Sequence, residues 1–219
     1  MSTAGGQRVV VVDDHALVAT SLAVALRSRG LQVDVADLTA LDDLLGGTAP
    51  PGGLVLLDLD LGDGLDGAEL VPRLRRAGWR VLVVSGSQDR VRLARAVAAG
   101  AAGVVAKTEQ FDVLVDTVVR VAAGRDLVDG AERERLREIA DAARRSSEAE
   151  AQRWGRLTPR ERQIAERIAV GRRPAVIAEE FVVSVQTVRT QVRSILGKLE
   201  VGSQLEVAAL VSRLKSAGA

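Results

Sequence analysis

Cysteine is absent from this chain, and histidine and methionine occur once each. Without cysteine there is no disulfide framework and no thiolate chemistry, which fits a reducing compartment. Long apolar runs are also missing. The longest, residues 96–106, is short and broken by glycine, far from the ~20 residues needed to span a bilayer. Residues 1–8 contain no apolar core that would serve as an export signal. These absences point to a cytoplasmic protein without membrane contact. Aromatic residues make up 2% of the chain, and Trp79 and Trp154 read as structural or linker-borne. Lysine is scarce too: among 30 basic residues it stands only at Lys107, Lys198 and Lys215, so each of these was chosen over arginine.

Net charge is +1, but the charge is unevenly spread. Residues 8–124 carry 12 basic and 15 acidic side chains, residues 125–156 eight of each, and residues 157–219 ten basic and six acidic. A basic excess confined to the last part is the electrostatic footprint of a nucleic-acid binder. Three segments follow: a first domain over 1–124, a helical linker over 125–156 and a second domain over 157–219.

The first domain alternates strand and helix. Apolar runs predict strands over 8–12, 32–36, 54–57, 80–84 and 103–105, and helical spacing fills 17–29, 38–45, 67–77, 90–99 and 111–123. Five strand-then-helix repeats imply an α/β doubly wound, five-stranded parallel sheet covered on both faces. Functional groups in such a sheet gather outside the carboxyl ends of the strands, at the switch point in strand order. Asp13 and Asp14, Asp58, Ser85 and Lys107 all fall there. Three carboxylates suit one hard divalent cation, magnesium, with the Asp60 backbone carbonyl as a further ligand. Aspartate is an accepted covalent carrier of phosphate; Lys107 would neutralise a phosphoryl oxygen and Ser85 would hydrogen-bond another. The set therefore describes a magnesium-assisted phosphoryl-accepting pocket. His15, close by, reads as a loop or capping residue.

Residues 129–156 are rich in Ala, Glu and Arg, with Leu136, Ile139 and Ala143 at helical spacing. They predict an exposed helix that loosens around Ser146 and Ser147. The last segment is all helix. Thr158, Pro159 and Glu161 form a capping box with a first-turn proline, and Ser203 with Glu206 repeats the box. A short helix opening at Pro174, a tight turn at Val182 and Val183, and a longer helix capped by Ser184 make a helix-turn-helix signal. Arg189 and Arg193 lie four apart on one face with Thr190 beside them, suited to a major groove of DNA.

Taken together, the motifs Val11-Val12-Asp13-Asp14-His15, Leu57-Asp58-Leu59, Val84-Ser85-Gly86, Gly100 to Gly103 before Lys107, Leu157 to Arg162 and Thr187-Val188-Arg189 resemble those of bacterial two-component response regulators of the NarL/FixJ class. The resemblance covers nearly the whole length. It implies a flavodoxin-like receiver followed by a LuxR-type DNA-binding domain, with Asp58 as phosphoacceptor, Asp13 and Asp14 on magnesium, and Ser85 and Lys107 on the phosphoryl group. It also implies a sensor histidine kinase as donor, a homodimer when activated, and double-stranded promoter DNA as target. Arg189, Thr190 and Arg193 would face the DNA, with Thr187 and Lys198 on its phosphate backbone.

The chain departs from that pattern at four places. Val104 stands where the family has an aromatic switch residue; Leu61-Gly62 replaces a common Met-Pro pair; Gln191 replaces a usual histidine; and Glu200 stands where a glycine commonly ends the reading helix. Val104 motivates an alternative in which the receiver is a phosphorylation-independent dimerisation or sensing module. A second alternative is an aspartyl-phosphate phosphohydrolase, since Asp58-Leu59-Asp60 resembles the Asp-x-Asp start of haloacid-dehalogenase-like enzymes. Against that stand the two strands before the motif and the Leu61-Gly62 after it; no enzyme is expected.

Overall fold

In a computed structural model, residues 7–36, 41–46, 52–62 and 64–217 are described. The chain divides into two compact units at Asp141/Ala142.

The first unit holds five strands, β1 (Arg8–Val12), β2 (Gln32–Ala36), β3 (Leu54–Leu57), β4 (Arg80–Ser85) and β5 (Gly103–Ala106). They pair in parallel in the order β2-β1-β3-β4-β5. Five helices alternate with them: α1 (Ala16–Ser28), α2 (Leu41–Gly46), α3 (Gly67–Arg76), α4 (Arg90–Ala98) and α5 (Phe111–Ala122). Strands and helices were thus legible to within about a turn. The expected start of the second helix, residues 38–40, and the expected signal-free segment 1–6 lie outside the described residues.

Successive strand side chains point to opposite faces, so each apolar run feeds two cores. Val10, Val55, Leu57 and Val81 pack under α2, α3 and α4 on one face. Val9, Val11, Leu56 and Leu82 pack under α1 and α5 on the other. That two-sided burial is why β1, β3 and β4 read as near-continuous Val and Leu, whereas the edge strand β2, Gln-Val-Asp-Val-Ala, alternates with polar residues. Trp79 is buried at the base of β4, where its indole N–H donates to the Leu44 carbonyl at 3.2 Å.

Helix α6 (Gly130–Gly155) runs unbroken through Ser146 and Ser147, so the expected loosening there is corrected. Serine is only mildly unfavourable in a helix, and the flanking Ala, Glu and Arg are strong formers. The Arg144 to Glu148 pair, four residues apart at 2.8 Å, also spans the two serines.

The second unit contains the end of α6 with α7 (Pro159–Ala169), α8 (Pro174–Glu180), α9 (Val185–Leu199) and α10 (Gln204–Ala217). Thr158 caps α7 reciprocally with Glu161, and Ser184 caps α9 by accepting from the Thr187 N–H at 3.0 Å. Val188, Val192, Ile195 and Leu199 form one buried stripe on α9 against Ile164, Ile168 and Ile177. Burial of such side chains contributes about 1.5 to 3 kcal/mol each. It turns the remaining face of α9 to water.

Candidate functional site

The strand order changes direction between β1 and β3, and the register places Val12 beside Leu57. The residues that follow, Asp13 and Asp58, therefore meet outside the carboxyl ends of the two strands. The Asp58 N–H donates to the Val12 carbonyl at 2.9 Å, which fixes that approach. Ligand atoms from Asp13, Asp14, His15 and Asp58 all lie within 4.8 Å of one another. Lys107 directly follows β5, and its own N–H bonds the Ser85 carbonyl at 2.9 Å. From there its ammonium bridges two carboxylates, 2.7 Å from Asp13 Oδ2 and 2.6 Å from Asp58 Oδ2. Ser85 closes β4, buried, with its hydroxyl oxygen accepting from the Ser87 N–H at 3.1 Å.

Asp58 is buried, and its Oδ1 has no hydrogen-bond partner among the described residues. Burial pushes its carboxyl above the usual value, against the opposing pull of the Lys107 ammonium. Lys107 is itself desolvated, yet its bonds to Asp13 and Asp58 outweigh burial and raise its pKa, so it stays charged. A buried oxygen without a partner beside two more carboxylates and an exposed mouth at Asp14 fits a hard divalent cation, which takes oxygen ligands. His15 occupies the N-cap position of α1 without a side-chain cap bond; its Nδ1 lies 2.6 Å from Asp14 Oδ1 instead.

The loop after Asp58 is held by two features without a sequence signature. Gly67, at the start of α3, donates its N–H to the Leu59 carbonyl at 2.9 Å. A Cβ there would overlap the Asp58 carbonyl oxygen, so only glycine permits this approach. Arg92, from α4, reaches the Leu59 carbonyl at 2.5 Å, Asp60 Oδ1 at 2.5 Å and Asp66 Oδ1 at 3.0 Å. The Asp60 carboxylate is thereby turned to Arg92. Val104 is half-buried against the core shared with Leu59 and Leu61.

In the second unit, Thr187, Arg189, Thr190 and Arg193 are all exposed on α9. Thr190 back-bonds to the Gln186 carbonyl at 3.0 Å, and Thr187 shares a hydroxyl contact of 2.8 Å with Ser184. No carboxylate pairs with Arg189 or Arg193 among the described residues, whereas Arg153 and Arg156 both bind Glu200, at 3.3 and 2.8 Å. Glu200 itself takes the left-handed C-cap position of α9, at φ 57°. Lys198 is engaged elsewhere: its ammonium lies 2.7 Å from Glu161, a carboxylate with only 4% side-chain exposure. Sequence reasoning saw Glu161 as a capping acid and missed this second duty, which no local spacing encodes.

Two family models match the chain: response regulator receiver domain over residues 9–119, and bacterial regulatory proteins of the luxR family over residues 156–211. A probable transcriptional regulatory protein NarL of Mycobacterium tuberculosis is 30% identical, with 94% of each chain covered. A virulence-factor transcription regulator, BvgA of Bordetella pertussis, is 28% identical over 94% of this chain and 97% of its own. The solved RcsB response regulator of Salmonella typhimurium shares the fold, with a TM-score of 0.50 at 20% identity over 95% of this chain and 99% of that one.

Proposed function

Because this chain belongs to the NarL/FixJ class of response regulators, with a receiver followed by a luxR-family DNA-binding domain, we propose that it controls transcription by accepting a phosphoryl group on Asp58 from a sensor histidine kinase. Phosphorylation then favours a homodimer on promoter DNA. The carrying observation is the convergence of Asp13, Asp58 and Lys107 at neighbouring strand ends around a buried, unpartnered Asp58 oxygen.

In the reaction an Asp58 oxygen attacks phosphorus, the phosphorus–nitrogen bond of the donor phosphohistidine breaks, and its electron pair stays on the imidazole. Lys107 leaves its bridge between Asp13 and Asp58 to neutralise a phosphoryl oxygen. Ser85 keeps its hydroxyl proton to donate to another, since its oxygen serves Ser87 as an acceptor. Asp13, Asp14, Asp58 and the Asp60 carbonyl would hold magnesium; when bound, the ion supplies charge neutralisation between the anionic nucleophile and the phosphoryl group. His15 steadies Asp14. The receiver is assigned to residues 1–124, the helical linker to 125–156 and the effector to 157–219, acting in the cytoplasm.

In the effector, Arg189, Thr190 and Arg193 enter the major groove, with Thr187 at the phosphate backbone near the start of α9 and Lys198 as a further backbone contact. Because Val104 is aliphatic and half-buried, a second reading stands beside the first: a receiver that dimerises without phosphorylation. Sedimentation velocity of the full chain with magnesium, with and without beryllofluoride, separates them. A monomer-to-dimer shift with the mimic supports phosphoryl control. An unchanged sedimentation profile with the mimic bound favours the second reading.

A further inference from the structure

A polar cleft of about 590 Å³ opens at the amino ends of β4 and β5, the end of the sheet away from Asp58. Its floor is alanine and glycine, and four arginines line it: Arg75 from the end of α3, Arg80 at the start of β4, and Arg133 and Arg137 from the first turns of α6. Among the described residues Asp126 is the single acidic lining residue, which leaves three positive charges in excess.

The four guanidiniums are not equally committed. Arg80 donates to the Val121 carbonyl at 2.8 Å and to Asp126 at 2.5 Å. Arg133 binds the Val97 and Ala101 carbonyls at 3.0 and 2.9 Å and shares Asp126 at 3.2 Å. These two are structural, and one carboxylate serves both. Among the described residues Arg75 makes one long bond, 3.3 Å to the Trp79 carbonyl, and Arg137 makes one at 3.3 Å to Glu134 across an exposed pair of little strength. Each guanidinium carries five donors, so both retain most of them. Gly100 and Gly124 adopt φ of +109° and +96°, backbone that glycine favours, and so carry the chain past Arg75 and Arg80 without a side chain.

Planar guanidinium forks match phosphate oxygens bidentately, and the cleft is of the size that encloses a small ligand. One committed and one spare arginine come from α3 and β4 and another such pair from α6, a set suited to two linked phosphates. We propose that this cleft binds a small anion of the diphosphate class, and that occupancy ties the first turns of α6 to the receiver sheet. The site is separate from the phosphoacceptor pocket and does not depend on it.

The test is calorimetric titration of the full chain with inorganic pyrophosphate, without magnesium. Saturable one-site binding is expected. Arg75→Gln and Arg137→Gln should each weaken it by roughly tenfold, the loss of one charge-assisted contact. Arg145→Gln and Asp58→Asn should leave it unchanged, as should the double variant Arg189→Gln with Arg193→Gln. Hydrogen exchange over residues 131–139 should slow on binding. Absence of saturable binding overturns the proposal, as does binding insensitive to Arg75 and Arg137 or lost with the α9 variants. Citrate binding as tight as pyrophosphate would overturn the diphosphate assignment.

Discussion

Replacing Glu161 by glutamine removes the charge at the centre of the effector core while nearly preserving shape. Its carboxylate accepts from Lys198 Nζ at 2.7 Å, Ser194 Oγ at 2.7 Å, the Thr158 N–H at 2.8 Å and Thr158 Oγ1 at 2.9 Å. Glutamine keeps one acceptor oxygen and turns an amide donor toward these donors. Hydrogen bonds to a charged group are worth about 1.5 to 3 kcal/mol each, and Lys198, with its side chain 36% exposed, returns to water at little penalty. The expected net loss is about 3 kcal/mol, or roughly 12 to 24 °C in the melting of a unit this size. Burial alone would raise the Glu161 pKa, but the bonds from Lys198, Thr158 and Ser194 lower it from 4.5 to about 2. A carboxyl depressed in the folded state stabilises above its unfolded pKa, and that stability disappears as pH falls through its folded pKa. The wild-type effector should therefore lose stability between about pH 4.5 and 2, a titration the variant lacks. Lys198→Met should reproduce the thermal loss and, because Lys198 is also proposed at the phosphate backbone, reduce the salt slope of DNA affinity by about 1; an unchanged slope would confine Lys198 to its pairing with Glu161. Scanning calorimetry of the full chain across pH is the assay. A Glu161→Gln transition within about 2 °C of wild type would refute the reasoning.

Val182, at the helix-turn-helix turn, is a β-branched residue at φ 54° with 90% exposure. Val182→Asn should stabilise the effector by about 1 kcal/mol, and an unchanged or lower melting temperature would count against that strain. Gly67→Ala forces the Asp58 carbonyl aside, so it should cost about 2 kcal/mol and slow phosphoryl labelling; normal melting and labelling would show the loop accommodates a methyl group. Arg193→Ala should weaken DNA binding, with a shallower salt dependence for a phosphate contact or about 1 to 3 kcal/mol of lost base discrimination for an edge contact; unchanged affinity would make that face ordinary surface.

Strands β1, β3 and β4 were readable because burial on both faces leaves runs of Val and Leu, and the candidate site residues stand where such runs stop. Thr158, Ser184 and their partners announced helix starts through local chemistry that needs no tertiary context. What stayed hidden joins residues far apart in the chain. Arg92 reaches Asp60 from 32 positions away, and Lys198 reaches Glu161 from 37. Gly67 looks like an ordinary glycine at a helix start until the Asp58 backbone is seen against it. Glu200, a departure from the expected glycine, is joined by Arg153 and Arg156 from 47 and 44 positions away. Ser146 and Ser147 act in the other direction: polar composition there reads as a weak point, but the neighbouring residues sustain the helix.

The central claim is that Asp58 takes the phosphoryl group. Intact-mass measurement after incubation with a small phosphodonor and magnesium tests it most directly, on the wild-type chain and Asp58→Asn side by side. The account predicts one phosphoryl group on the wild type and none on the variant. Equal labelling of both, or a wild type that stays unlabelled while magnesium binds, would contradict it.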